Sequence, residues 1–115
     1  MATATYDINL EQGVPLSKTI YLQNPDDSIK DLTGFTAKMQ LRQYVTHPDV
    51  QLELSTTNSK ISINGPLGEV TIIFSEADTR SLLFTSMDYD LFLLNGSSTF
   101  KALYGKVYLT EAVTV

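Results

Sequence analysis

Strict alternation of apolar and polar residues constrains this chain more than any other feature. In Phe35-Thr36-Ala37-Lys38-Met39-Gln40-Leu41-Arg42, one set (Phe35, Ala37, Met39, Leu41) shares a face, and Thr36, Lys38, Gln40 and Arg42 share the other. Successive side chains of a strand point to opposite sides, so the pattern describes a β-strand with one buried face; a helix would scatter the same apolar residues around its circumference. The period recurs in Val50 to Leu54 and in Glu69 to Phe74, where Val70, Ile72 and Phe74 point inward. Leu16, Ile20 and Leu22 repeat it with Lys18 in the inward phase. An inward charge guards a sheet against edge pairing, so an edge strand or a bulge is expected there.

Turn chemistry separates these runs. Glu11-Gln12-Gly13 with Pro15 follows a first strand around Tyr6 to Leu10, and Asn24-Pro25-Asp26-Asp27-Ser28 follows the second. Proline presets φ, and Asn and Asp side chains bond the nearby backbone. Asn64-Gly65-Pro66-Leu67-Gly68 joins Lys60 to Ile63 to the Val70 strand, and Asn95-Gly96-Ser97-Ser98 joins Met87 to Leu94 to a last long strand, Thr99 to Leu109. Asn-Gly between alternating strands is a strong hairpin signal. Residues 43–49 and 55–59 read as loops.

One segment departs from the period. Ser75 can cap the backbone of a helix whose first turn carries Glu76 and Asp78, so a short helix is expected near residues 76–83, with Leu82 and Leu83 plugging one end of the core. In Ig-like sandwiches a helical crossover of this kind precedes a strand with a tyrosine near its start. That tyrosine's hydroxyl bonds back to the chain at the corner, two residues before the position that holds cysteine in antibody domains. Tyr89 fits this structural corner and Leu91 fills the cysteine slot. The expected fold is therefore all-β: an Ig-like antiparallel β-sandwich of about seven or eight strands, with a small open barrel as the competing architecture.

The chain has 115 residues, one domain spanning 1–115, and 43% of them are hydrophobic, enough for a packed interior. It has no cysteine, so neither disulfides nor thiolate zinc sites hold the fold, and folding in a reducing cytoplasm is favoured. Met1 to Asp7 has neither a basic nor an apolar stretch, so no signal peptide is expected. No apolar run approaches the roughly 20 residues of a membrane helix, and no membrane partner is expected. The net charge of −5 argues against nucleic acid, whose phosphates call for a basic stripe.

No residue set forms a catalytic, cofactor or metal site. His47, the single histidine, sits in Thr46-His47-Pro48-Asp49 between strand patterns and reads as a turn residue. Asp26, Asp27 and Asp31 lack the spacing of a calcium loop, and Lys30 opposes a cation. Asp88 and Asp90 share a strand face, but nothing brings them to a cleft with split pKa values. Asn95-Gly96-Ser97 matches a glycosylation triplet and reads as a hairpin turn. Phosphate loops and dinucleotide glycine motifs are missing, so enzymatic activity is not expected.

What remains is surface. Leu103, Val107 and Leu109 read inward with Gly105, which leaves Tyr104, Lys106 and Tyr108 on the other face of the last strand. With Phe92 and Ile73, also out of the inward phase, Tyr104 and Tyr108 form a candidate interaction surface, since aromatic residues are enriched in binding hot spots. The alternative is that these side chains face a second layer or lie under a loop.

Several segments resemble a group of small Ig-like virion proteins of tailed bacteriophages: Asp31 to Arg42, Gly68-Glu69-Val70-Thr71-Ile72, Tyr89-Asp90-Leu91-Phe92-Leu93, and Gly105-Lys106-Val107-Tyr108-Leu109 before Val113-Thr114. The resemblance extends from Tyr6 onwards, and related domains occur at the N-termini of baseplate and receptor-binding proteins. It implies a non-enzymatic component of the neck, tail, baseplate or head decoration, without cofactors. Its implied partners are other virion structural proteins, in multiple copies on a symmetric particle assembled in the bacterial host cytoplasm. Binding of host-surface carbohydrate or a receptor is the alternative on the same fold, although the chain has no Trp to serve as a sugar platform.

Overall fold

The computed structural model describes residues 4–24, 26–96 and 98–113. Pro25 and Ser97, which the sequence places in turns, lie outside the described residues, as do Met1 to Thr3 and Thr114. The elements in order are β1 (Ala4–Thr5), β2 (Ile8–Glu11), β3 (Leu16–Tyr21), β4 (Thr36–Arg42), β5 (Leu52–Ser55), β6 (Ile61–Asn64), β7 (Glu69–Phe74), a helix α1 (Glu76–Ser81), β8 (Ser86–Asn95) and β9 (Ser98–Thr110). They form an all-β sandwich. One sheet has the order β1-β9-β8-β4-β5, with β2 also on β9, and the other has the order β3-β7-β6.

Alternation places the core. Ala37, Met39 and Leu41 of β4 and Met87, Leu91 and Leu93 of β8 meet Val70, Ile72 and Phe74 of β7, all buried. Leu32 reaches the same core from the connection between β3 and β4 and is fully buried. Lys18 lies on β3, an outer strand of the smaller sheet with continuous register, so the inward charge marks an edge and not a bulge. Its ammonium reaches across to the Tyr6 ring, 5.5 Å from the centroid, and the residue stays exposed, so its charge remains near solvent.

Three details differ from the expected pattern. Val50 is exposed and β5 starts at Leu52, with the Gln51 N–H bonded to the Leu41 carbonyl at 2.7 Å just before it. Leu82 is buried, but Leu83 is 79% exposed: α1 stops at Ser81 and Leu82 is already extended, so successive residues point opposite ways. The first strand also pairs in parallel with the last, whereas every other strand pairing is antiparallel. Parallel neighbours need a long connection, and here nearly the whole chain separates them.

That first strand is interrupted at Tyr6 and Asp7. Their backbone turns in over Gly105, where a Cβ would overlap the Tyr6 carbonyl oxygen. Only glycine leaves room for this approach. Tyr89, directly opposite Gly105 on β8, donates its buried hydroxyl to the same carbonyl. On the other side Asp7 Oδ1 accepts the Lys106 N–H at 3.0 Å, standing in for a missing strand carbonyl. The Tyr89 hydroxyl thus bonds the N-terminal strand rather than the corner after α1, correcting the corner assignment. Burial, followed by the nearby Asp7 charge, pushes the phenol well above its ordinary pKa, so it stays a donor.

Helix α1 is held by its first turn. Ser75 Oγ accepts the Asp78 N–H at 3.1 Å, and Asp78 accepts the Ser75 N–H at 3.0 Å, a reciprocal capping box. Lys60, just before β6, places Nζ 2.7 and 2.9 Å from the two Asp78 oxygens, tying the helix to the smaller sheet. Thr79, fully buried, accepts the Gly13 N–H at 2.9 Å and joins the helix to the turn after β2. Burial alone would raise the Asp78 pKa; the bonds from Lys60 and then Ser75 outweigh it and hold the carboxyl below its ordinary range.

Two expectations follow. Gly105→Ala should lower unfolding free energy by about 2–3 kcal/mol through the forced clash, and Tyr89→Phe by about 1–2 kcal/mol through the lost buried bond. Because both act on the Tyr6 carbonyl, denaturant titration of the double variant should give less than the sum; simple additivity would contradict the shared node. Asp78→Asn should cost about 2 kcal/mol at pH 7. A carboxyl depressed in the folded state stabilises above its unfolded pKa of about 3.9, and that contribution is lost as pH falls through the folded value. The gap between Asp78→Asn and wild type should therefore close in acid; a gap unchanged at low pH would contradict it.

Candidate interaction surface

The outward positions of β5, β4, β8 and β9 build the broad outer face of the larger sheet. Register sets which residues meet: Gln40 lies beside Asp90 and Glu53, Arg42 beside Asp88, Lys38 beside Phe92, Asp90 beside Tyr104, and Asp88 beside Lys106. An open concavity of about 520 Å³ runs over β4 and β8, with Val45 of the following loop at its end.

Three cross-strand ion pairs occupy this face. Lys106 Nζ lies 2.7 Å from Asp88, Lys38 lies 3.4 Å from Glu53, and Lys101 lies 3.9 Å from Asp90. Gln40 donates to Glu53 at 2.9 Å, and this bond, ahead of the Lys38 charge, lowers the Glu53 pKa. The hydrogen bond to Asp88 raises the Lys106 pKa. Arg42 donates to the His47 carbonyl at 2.7 Å and to Gln40 at 3.0 Å, which anchors the β4–β5 loop to the sheet. Exposed pairs of this kind add little stability, about 0–1 kcal/mol each. They hold long side chains in a fixed pattern.

A bulge sets the aromatic side of the face. Leu91 pairs with Leu103 but Phe92 pairs with Lys101, so Ala102 is the extra residue on β9. Ala102 and Leu103 are both buried, and the phase of the strand flips between them. Phe100 consequently turns inward to meet Phe35 edge-on at 5.7 Å. Lys101 turns outward over the rings of Phe92 and Tyr104, 5.7 and 6.0 Å from their centroids. Tyr104 and Tyr108 are exposed, and Phe92 is half-buried between Lys38 and Lys101.

Of the four residues proposed for one patch, three share this face and Ile73 does not. Ile73 is exposed on β7, which belongs to the other sheet, and its neighbour across the strand is Ser17. Periodicity separates inside from outside but does not say which sheet a strand joins, so residues from opposite sides of a sandwich look alike.

The other residues with chemical potential serve local structure. His47 Nδ1 accepts the Asp49 N–H at 3.1 Å, and its ring packs edge-on to Tyr44 at 4.9 Å. Asp26 accepts both the N–H and the hydroxyl of Ser28, and Asp31 accepts those of Thr33, which lowers both pKa values, the hydroxyl bonds first. Asp88 and Asp90 each face a lysine across the sheet and do not converge on one another.

No protein-family model and no curated protein matches this chain. Among solved structures it is similar to the N-terminal domain of phage TP901-1 ORF48, with 15% sequence identity and a TM-score of 0.52. The match covers 89% of this chain and 82% of that one, so the two share their fold over most of their lengths.

If Tyr104 and Tyr108 are surface residues, Tyr104→Ala and Tyr108→Ala should each change unfolding free energy by no more than about 0.5–1 kcal/mol. Thermal or urea unfolding checks this. A loss of about 2 kcal/mol or more would place them under a covering layer.

Proposed function

We propose that this chain is a non-enzymatic, Ig-like structural component of a tailed-phage virion that binds other virion proteins. The observation that carries this reading is the similarity, across most of both chains, to the N-terminal domain of a phage protein. Strand order supports the Ig-like part: β9-β8-β4-β5 corresponds to strands G, F, C and C′ of the variable-type sandwich, and β3-β7-β6 to B, E and D. The α1 crossover between β7 and β8 falls between E and F.

The surface chemistry supports binding over catalysis. Glu53, Asp88 and Asp90 are engaged with lysines, Asp26 and Asp31 with their own turns, and Phe92, Tyr104 and Tyr108 stand on a wide sheet face rather than in an enclosed cleft. Phe92, Tyr104 and Tyr108 are the proposed contact residues there, with Tyr89 in a supporting structural role. Neck, tail, baseplate and head decoration are the positions that suit such a module, in multiple copies and assembled in the host cytoplasm.

Mass spectrometry of purified particles tests this. The chain should be present in several copies relative to a single-copy virion protein. Its absence from particles made by cells that express it would overturn the assignment.

A further inference from the structure

The two sheets have four edges, and three of them carry blocks. On β5, the Asn58 side chain takes the place of a further strand: its Oδ1 accepts the Ser55 N–H at 2.9 Å and its Nδ2 donates to the Glu53 carbonyl at 3.0 Å. On β3, Lys18 is the inward charge at the rim. On the β1–β2 side, the backbone breaks at Tyr6 and Asp7, where the strand turns in over Gly105. The remaining edge, β6, has none of these devices: Ile61, Ser62, Ile63 and Asn64 include no charge and no proline, and their register with β7 is unbroken.

Register shows which backbone groups of β6 are open to a further strand. The Lys60 carbonyl accepts the Ile73 N–H at 2.8 Å, and bonding direction alternates along an antiparallel strand, so Ser62 and Asn64 also bond toward β7. The N–H and C=O of Ile61 and Ile63 therefore point away from β7, and no described segment bonds them. The open window is short. Beyond Ile63, the Gly65 carbonyl is taken by the Leu32 N–H at 2.9 Å; before Ile61, the Lys60 N–H bonds the Ser55 carbonyl at 3.1 Å. Ile63 packs on the core but is only half-buried, with no strand beside it on the open side.

These limits select the occupant. A strand that fills the window must be as short as the window and leave the sheet at both ends. β6 itself has that shape: it is entered from a turn at Ser59, whose φ is 64°, and left through a short 3-10 turn over Gly65–Leu67. It is also its own complement. With a two-fold axis through Ser62, Ile61 of each copy faces Ile63 of the other, and each such pair exchanges both its bonds, so every outward N–H and C=O of the window is paired. Where Leu32 of one copy closes the edge at Gly65, the chain of the other has already turned away at Ser59. Charge does not oppose the approach: the Lys60 ammonium is held by Asp78, and Ser62 and Ile61 lie beside Thr71 and Ile72 of β7.

From these observations we infer that β6 pairs antiparallel with β6 of a second copy, joining the smaller sheets edge to edge about a two-fold axis through Ser62. The inference rests on the reading of the chain as a multi-copy particle component, since so short a contact is weak in free solution and is strengthened when copies are held close together. Sedimentation equilibrium of the full chain should give a dissociation constant of roughly 10⁻⁴–10⁻³ M. The Ile61 and Ile63 amides should gain protection from hydrogen exchange as concentration rises. Ser62→Lys and Ser62→Glu change an exposed residue and should keep the wild-type circular dichroism. Each should weaken pairing at least about tenfold, because like charges then meet across the axis, and an equimolar mixture of the two should restore it. A wild-type chain that is monomeric at millimolar concentration, Ile61 and Ile63 amides whose exchange ignores concentration, a folded Ser62→Lys variant that dimerises as well as wild type, or a mixture no better than either variant alone overturns the inference. If the chain is monomeric yet abundant in purified particles, the self-contact fails while the virion assignment stands; if it dimerises through β6 but is absent from particles, the assignment fails and the self-contact stands.

Discussion

The inward turn of Tyr6 and Asp7 over Gly105 is the contact on which the rest of the sandwich depends. It ties the first strand to the last, across nearly the full length of the chain, through one carbonyl met by the Tyr89 hydroxyl and one carboxylate that completes the β9 ladder. With that strand in place, Ile8 and Leu10 are buried and the interior is closed along one side. Without it, the inner surfaces of Tyr89 and Val107 would lie open to water. Steric room at a single glycine thus governs the packing of an entire edge.

The same contact shapes what the outside can do. A strand that breaks over Gly105 is a poor template for pairing, and the Lys18 charge and the Asn58 bonds act similarly on β3 and β5. The outer face of the larger sheet has the opposite character. Its side chains are ordered by ion pairs, and Lys101 rests over the rings of Phe92 and Tyr104. Blocks stand on the β1–β2, β3 and β5 edges, and the outer face of the larger sheet is left open.

Much of this was legible in the sequence because strand burial follows a period of two. The inward residues of β4, β7 and β8 read directly, as did the Asn64-Gly65 and Asn95-Gly96 connections and the Ser75 cap, while Lys18 read as an edge or a bulge and proved to be an edge. Four things were not legible, each for a physical reason. The partner of Tyr89 lies 83 residues away, so no local pattern names it. Ile73 and Phe92 have the same outward phase but belong to different sheets, and the alternation carries no information on sheet membership. The bulge at Ala102 looks in sequence like two consecutive apolar residues, although the switch of phase between Phe100 and Tyr104 was its trace. The edge block by Asn58 depended on a turn bringing a side chain back over its own strand, which residue types alone do not specify.

A working outer face on the larger sheet is the central claim, and the six tyrosines of the chain are placed to test it. Tyr104 and Tyr108 stand on the outer face, Tyr21 on the smaller sheet, Tyr44 in the β4–β5 loop, Tyr6 at the strand break, and Tyr89 is buried. Hydroxyl-radical footprinting should compare dilute protein with the assembled state. The account predicts that labelling of Tyr104 and Tyr108 falls on assembly while Tyr21 and Tyr44 label as before. Protection of Tyr21 or Tyr44, with Tyr104 and Tyr108 as reactive as in dilute protein, would contradict it.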